Sequence, residues 1–201
     1  MSLERNIGWL AGVVDGEGSL SLSPRYDRRV TDAGRQSLYV RAALEIENTS
    51  EALVQKVRTV LNSLGVANGH ICKTFMPTKR FQATDGTVHS GDKGYHRVTV
   101  SARKPLRTLL YVLLPELTVK VAAAHLLLSF LDRTVDYTSY RPTLVDLELC
   151  QQLRELQGRR EKPFPMDQWV SRLRTVDGEP IPCQAEGSMQ YRTSEGVEAR
   201  P

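Results

Sequence analysis

Cysteine, aromatic residues and long apolar runs are all scarce in this 201-residue chain, and each shortage excludes something. The three cysteines, Cys72, Cys150 and Cys183, stand far apart with no C-x-x-C spacing. Neither a zinc site nor a disulfide framework is indicated, and a reducing, intracellular setting is expected. The most apolar stretch, residues 119–131, is too short to span a bilayer and contains His125, so it reads as a buried helix and no membrane partner is expected. No secretory signal opens the chain, because Leu3-Glu4-Arg5-Asn6 is too polar. Nor is there a large excess of one charge. A net charge of +4 and a pI near 9.0 are compatible with nucleic acid without demanding it.

What remains is an ordinary globular composition, 40% apolar and 25% charged, at a length that suits one domain. Arginine is prominent (Arg25, Arg28, Arg29, Arg35, Arg41, Arg97, Arg103, Arg107), which suits forked contacts to phosphate and guanine. A helix is expected over 3–15, and residues 19–23 then alternate as a half-buried strand with Leu20 and Leu22 inward. Residues 24–36 read as a polar loop, and 38–46 as a strand with Val40, Ala42, Leu44 and Ile46 on one face. Cap-capable Asn48, Thr49 and Ser50 precede a helical pattern that Gly65 stops. A weak strand over 69–76, a loop over 78–94 and a firmer strand over 95–102 follow. Helices are expected over 104–114, 116–131, 144–156 and 166–173, with Pro115 as a break. Residues 1–175 form the expected domain, and the Pro-, Gly-, Ser- and Glu-rich residues 176–201 an expected poorly ordered tail.

The most informative stretch is Leu10-Ala11-Gly12-Val13-Val14-Asp15-Gly16-Glu17-Gly18. An apolar helix that closes on two carboxylates is costly unless something pairs with them. Gly8, Gly12 and Gly16 recur every fourth residue, although each interior glycine weakens a helix by roughly 1 kcal/mol. Such a stripe lets another backbone approach, and two helices packed through it would bring two Glu17 carboxylates together. Paired carboxylates at a tight junction suit a divalent cation. Each hairpin also keeps a polar face. Placed in a DNA major groove, or merely solvated, that face has the same pattern.

The nine-residue stretch resembles the motif of the LAGLIDADG homing endonucleases, in a variant ending Asp-Gly-Glu-Gly, and the element order matches that family's core over roughly residues 3–155. The resemblance implies an α+β fold of order α-β-β-α-β-β-α, with a curved antiparallel DNA-binding sheet and extra C-terminal helices. With one copy of the motif, it is similar to the single-motif branch, whose members act as homodimers. It thus implies a metal-dependent endonuclease using Mg²⁺ or Mn²⁺. Its substrate would be a long pseudo-palindromic double-stranded DNA site, cut on both strands across the minor groove to leave 3′ overhangs. The alternative on the same fold is an RNA-binding intron maturase, with intron RNA as partner, or a catalytically inactive DNA-binding regulator.

Carried over residue by residue, the resemblance makes Glu17 the metal-binding acid with the Gly16 carbonyl beside it, and Asp15 a structural helix-end acid. Lys120, after Pro115-Glu116-Leu117-Thr118-Val119, matches the family segment that delivers a basic residue to the active site; a solvated helix lysine is the bland reading. Asn48 is either an amide near the reacting water or a helix cap. A further basic residue found early in the next helix has no match, since Glu51, Ala52 and Leu53 occupy the stretch and Lys56 comes later. The expected DNA readers are Ser21, Ser23, Arg25, Tyr39, Arg41, Arg97 and Thr99, with Arg28 and Arg29 from the loop; Glu45 accepts from cytosine or pairs with Arg41. Gly8, Ala11 and Gly12 are the expected dimer contacts.

Overall fold

Ile7, Leu10, Ala11 and Val14 line one side of the first helix and set the layering of the molecule. The computed structural model describes residues 2–30, 36–66, 81–82, 88–89, 95–137, 140–158 and 163–173; of 27–30, 36–37, 81–82 and 88–89 only the backbone is described. Helix α1 (Leu3–Glu17) is capped by Ser2, whose hydroxyl accepts the Arg5 N–H. It runs two residues past the expected end and passes without a loop into strand β1 (Gly18–Val30). Gly18 makes this junction possible. Its N–H donates to the Val13 and Val14 carbonyls, and a Cβ there would lie 2.7 Å from the Val14 oxygen.

Strand β1 pairs antiparallel with β2 (Gln36–Asn48), with Leu20 opposite Leu44 and Leu22 opposite Ala42. The expected loop from residue 24 is corrected: β1 continues through Pro24 to Val30, with an irregularity between Tyr26 and Val30. The Leu20 carbonyl points away from β2 and accepts the Gln157 amide, so Pro24, four residues on, faces the same free edge. A missing N–H there costs no ladder bond. Helix α2 (Glu51–Ser63) starts on Ser50, whose hydroxyl accepts the Leu53 N–H, and ends at Gly65 with φ of 73°. Strands β3 (Phe81–Gln82) and β4 (Val88–His89) form a separate two-stranded ribbon inside the expected 78–94 loop. The strand expected over 69–76 lies outside the described residues. Strand β5 (His96–Val100) pairs with β2, giving a three-stranded antiparallel sheet of order β1-β2-β5.

Helices α3 (Arg103–Leu113), α4 (Val121–Thr134), α5 (Leu144–Leu156) and α6 (Met166–Val170) follow, with a 3₁₀ turn over Leu114–Glu116 at Pro115. Helix α4 starts five residues later than the pattern suggested, for a reason that belongs to the site. Helices α1 to α5 pack on one face of the sheet, around fully buried Leu10, Leu20, Leu44, Leu110, Leu127 and Phe130. Truncating any of these to alanine costs about 2–5 kcal/mol. Asp146 is buried at the start of α5, where it accepts from the Thr143 N–H and hydroxyl and pairs with Arg133. Burial pushes the Cys150 thiol up to about 12 and leaves it inert. His125, expected to be packed, is exposed. No helix among the described residues is long and apolar enough to cross a membrane. The 176–201 tail, Cys72 and Cys183 lie outside the described residues.

The sixth helix covers the far end of β1. Trp169 lies 5.2 Å from the Tyr26 ring, centroid to centroid, and the Arg172 guanidinium stacks 5.6 Å over the same ring. Among the described residues no helix packs on the opposite face of the sheet. It presents Ser19, Ser21, Ser23 and Arg25 of β1 opposite Glu45, Ala43, Arg41 and Tyr39 of β2, with Arg97 and Thr99 of β5 opposite Glu47 and Glu45.

Candidate functional site

A helix leaves its last carbonyls without intrahelical partners, and the end of α1 disposes of them unequally. The Val14 carbonyl takes the Gly18 N–H, and the Asp15 carbonyl takes the Lys120 ammonium. The carbonyls of Gly16 and Glu17 lie beyond the reach of the helix, next to an exposed Glu17 carboxylate.

Asp15 turns the other way. Its Oδ2 accepts the Thr118 N–H at 2.7 Å and the Thr118 hydroxyl at 3.1 Å, and its Oδ1 accepts the Lys120 N–H at 2.9 Å. Partial burial works to raise this carboxyl, but the N–H groups of Thr118, Lys120 and Val119 outweigh it and hold the group below the ordinary carboxylate value of 3.8. Those N–H groups belong to the turn before α4. A continuous helix from residue 116 would have pointed them along its own axis; giving them to Asp15 delays α4 to Val121. Asp15 thus draws Lys120, 105 residues away in sequence, onto the end of α1. Lys120 is the N-cap residue of α4, half-buried, with its ammonium against the α1 terminus.

Asn48 closes β2 opposite His96, two residues past Ile46, which itself faces Gly18. Its amide oxygen accepts the Ser50 N–H at 2.8 Å in a local turn, and Ser50, not Asn48, caps α2. Lys56 packs 4.1 Å over the Trp9 ring. Trp9 lies eight residues before Glu17, about 12 Å along the helix, so this lysine sits away from the motif's end.

Among the described residues no three His, Cys, Asp or Glu side chains cluster to hold a metal. One chain offers a carboxylate and adjacent carbonyls, a partial set of hard oxygen donors that fits a divalent cation whose other ligands come from elsewhere. The stripe beside it is open. A Cβ on Gly12 or Gly16 would meet nothing within 4 Å, and one on Gly8 would meet only the Glu116 carboxylate at 3.7 Å. Ala11 is fully buried in its own chain, so it is corrected from a dimer contact to a core residue. It points towards Leu10 and Val14 rather than along the stripe.

On the outer sheet face Arg25 and Tyr39 are exposed, Tyr39 at 37%. Ser21 and Ser23 are half-buried, and the Ser21 hydroxyl reaches the Ala43 carbonyl at 3.5 Å. Thr99 lies on this face but is only 7% exposed, so its hydroxyl is corrected from an open reader to a buried group. Arg41 pairs with Glu45 at 3.3 Å, and Arg97 pairs with Glu47. Arg28 and Arg29 belong to β1 rather than to a loop, and their side chains lie outside the described residues. Thr118 and Glu47 are the residues that local sequence reading misses. Nothing near Thr118 marks it as a partner of Asp15, and Glu47 emerges only from strand register.

No protein-family model matches the chain, and a search of curated proteins returns no match. Solved structures do match. The homing endonuclease I-CvuI in complex with its target aligns with a TM-score of 0.57 at 18% identity, over 83% of this chain and 90% of that one. The archaeal intron-encoded homing endonuclease I-Vdi141I complexed with DNA gives 0.55 at 16% identity, over 84% and 98%. The group I intron-encoded homing endonuclease I-CeuI complexed with DNA gives 0.51 at 17% identity, over 84% and 77%. The chain therefore has the LAGLIDADG homing endonuclease fold, as the motif suggested.

Proposed function

We propose that this chain is an intracellular, site-specific DNA endonuclease. It acts as a homodimer and hydrolyses both strands of a long pseudo-palindromic duplex to leave 3′ overhangs. The observation that carries this reading is the meeting of Lys120 with the end of α1 beside Glu17, across 105 residues of sequence.

The arrangement divides the chemistry. Glu17 and the Gly16 carbonyl would hold the divalent metal, Mg²⁺ or Mn²⁺, which when bound supplies an activated water and stabilises charge at phosphorus and the leaving oxygen. Lys120 places a positive charge where negative charge develops on the phosphate. Asp15 acts through Lys120, by fixing the turn that carries it. Asn48, at the same end of the sheet, offers its amide N–H₂ towards the reacting water while its oxygen serves the turn. Gly8, Gly12 and Gly16 form the strip against which the second chain packs, which supplies the second carboxylate that one chain lacks. Arg25, Tyr39, Arg41, Arg97, Ser21 and Ser23 read the major groove; that the structurally similar proteins are complexed with DNA or a target supports a DNA partner.

The test is digestion of a plasmid library of candidate insertion sites by the full chain, in Mg²⁺ and in Ca²⁺. A single cleaved site with 3′ overhangs in Mg²⁺ is the expected result. No cleavage of any member, together with tight binding of structured RNA, overturns the nuclease reading in favour of a maturase.

A further inference from the structure

The outer sheet face is not uniformly basic, although its proposed partner is a polyanion. Two of its three described arginines are tied to carboxylates of the central strand. The Arg41 Nη2 sits 3.3 Å from Glu45, four residues along β2, and Arg97 of β5 is paired with Glu47, directly opposite it in the ladder. Arg97 is further held by Tyr95, whose hydroxyl accepts from Nη2 at 3.3 Å and whose ring lies 5.6 Å below the guanidinium. Among the described residues, the half of the face nearest the helix junction thus sets two arginines, Arg41 and Arg97, against two glutamates, Glu45 and Glu47. Arg25, at the far end, has no ion pair among the described residues.

We infer that Glu45 and Glu47 are specificity-determining positioning residues, holding Arg41 and Arg97 as fixed forks and cancelling their attraction for generic phosphate. The inference rests on the proposed reading of this face as the DNA contact. Non-specific binding gains its free energy from replacing counterions on phosphates by cationic side chains. An arginine already paired with a carboxylate gains less, and the carboxylate is itself repelled by the backbone. Base recognition is affected differently. A guanidinium has five N–H donors, so it can fork onto guanine O6 and N7 while others stay on the glutamate. The pair lowers affinity for any duplex and spares affinity for the matched one.

The test uses Glu45→Gln, Glu47→Gln and the double variant, with Glu47→Asp as the charge-preserving control. Binding of the full chain to a random-sequence duplex is measured over a salt series, beside binding to the cleaved target. Each arginine released should steepen the log–log salt slope by about 0.9, and the double variant should bind random duplex roughly tenfold tighter at 0.15 M salt. The ratio of specific to non-specific affinity should fall, while Glu47→Asp keeps the wild-type slope. Wild-type slope in all variants overturns the inference, as does a parallel loss of both affinities with a lower melting temperature, which is the mark of a merely structural pair. A wild type that binds no duplex at any salt overturns the DNA reading as well, so the two failures are distinguishable.

Discussion

The end of α1 and the outer face of the sheet both gather polar side chains, but they hold them by opposite means. At the helix end Asp15 is fastened to backbone N–H groups of Thr118 and Lys120, and Lys120 to a backbone carbonyl. On the sheet face Arg41 and Arg97 are fastened to other side chains, Glu45 and Glu47. Backbone partners cannot leave without unfolding a turn; side-chain partners can exchange for a ligand at the cost of a rotamer. Under the proposed function the difference would match two tasks. A reacting group such as Lys120 must stay within a fraction of an ångström, whereas a reading arginine can keep its glutamate and still turn its remaining N–H donors to a base.

Substitutions at four positions break or sharpen this contrast. Glu17→Gln should have the largest effect. Glu17 is exposed, so the fold and DNA affinity should persist while cleavage falls on the order of 10³-fold, read in single-turnover digestion. Retained cleavage would place the metal-binding acid elsewhere. Gly12→Phe should be next: Gly12 is exposed and an added Cβ meets nothing within 4 Å in a single chain, so the melting temperature should hold while light scattering shows the mass of one chain and cutting is lost.

Asp15→Ala should cost about 1–3 kcal/mol, because it leaves the Thr118 and Lys120 N–H groups without their acceptor, and cleavage should fall with the displaced lysine. The pH dependence has a definite sign. The folded carboxyl lies below its ordinary 3.8, so its contribution is fully present above that value and lost as pH falls through the lower folded value. The gap in melting temperature between wild type and Asp15→Asn should therefore be constant near neutrality and close only in strong acid. Trp169→Ala should have the mildest effect on cleavage; besides the apolar area it exposes, it loses about 0.5–1.5 kcal/mol from the ring pair with Tyr26. Footprinting should show its effect at the outermost base pairs alone; an equal effect at the centre would deny that α6 steadies only the far end of β1.

What was legible in the sequence was whatever depends on local period. The stripe of Leu10 and Val14, the alternation of Leu20, Leu22, Val40, Ala42, Leu44 and Ile46, and the Ser50-to-Gly65 helix are set by residues a few positions apart. The continuation of β1 past Pro24 was hidden because its edge position, fixed by the order of strands, is what makes proline harmless there. The late start of α4 was hidden because its cause is 103 residues away, in Asp15. Ala11 misled because a small residue beside a glycine stripe looks the same on either side of a helix until the core is known. Of the candidate site, Lys120 was singled out by the likeness of its segment to the family's, while the glutamate partners of the two arginines needed the register of three strands.

The close approach at Gly18 carries a consequence for measurement. Because the strand begins on the residue after Glu17, no slack separates the proposed cutting carboxylate from the outward positions Ser19, Ser21, Ser23 and Arg25. These recur about every 6.6 Å, close to two steps of a duplex that rises about 3.4 Å per base pair. Chain and substrate would then be graduated alike, with Arg25 roughly eight base pairs from the zero mark. Inserting a single residue after Gly18 would not lengthen this scale by a notch. It would turn every graduation to face the core.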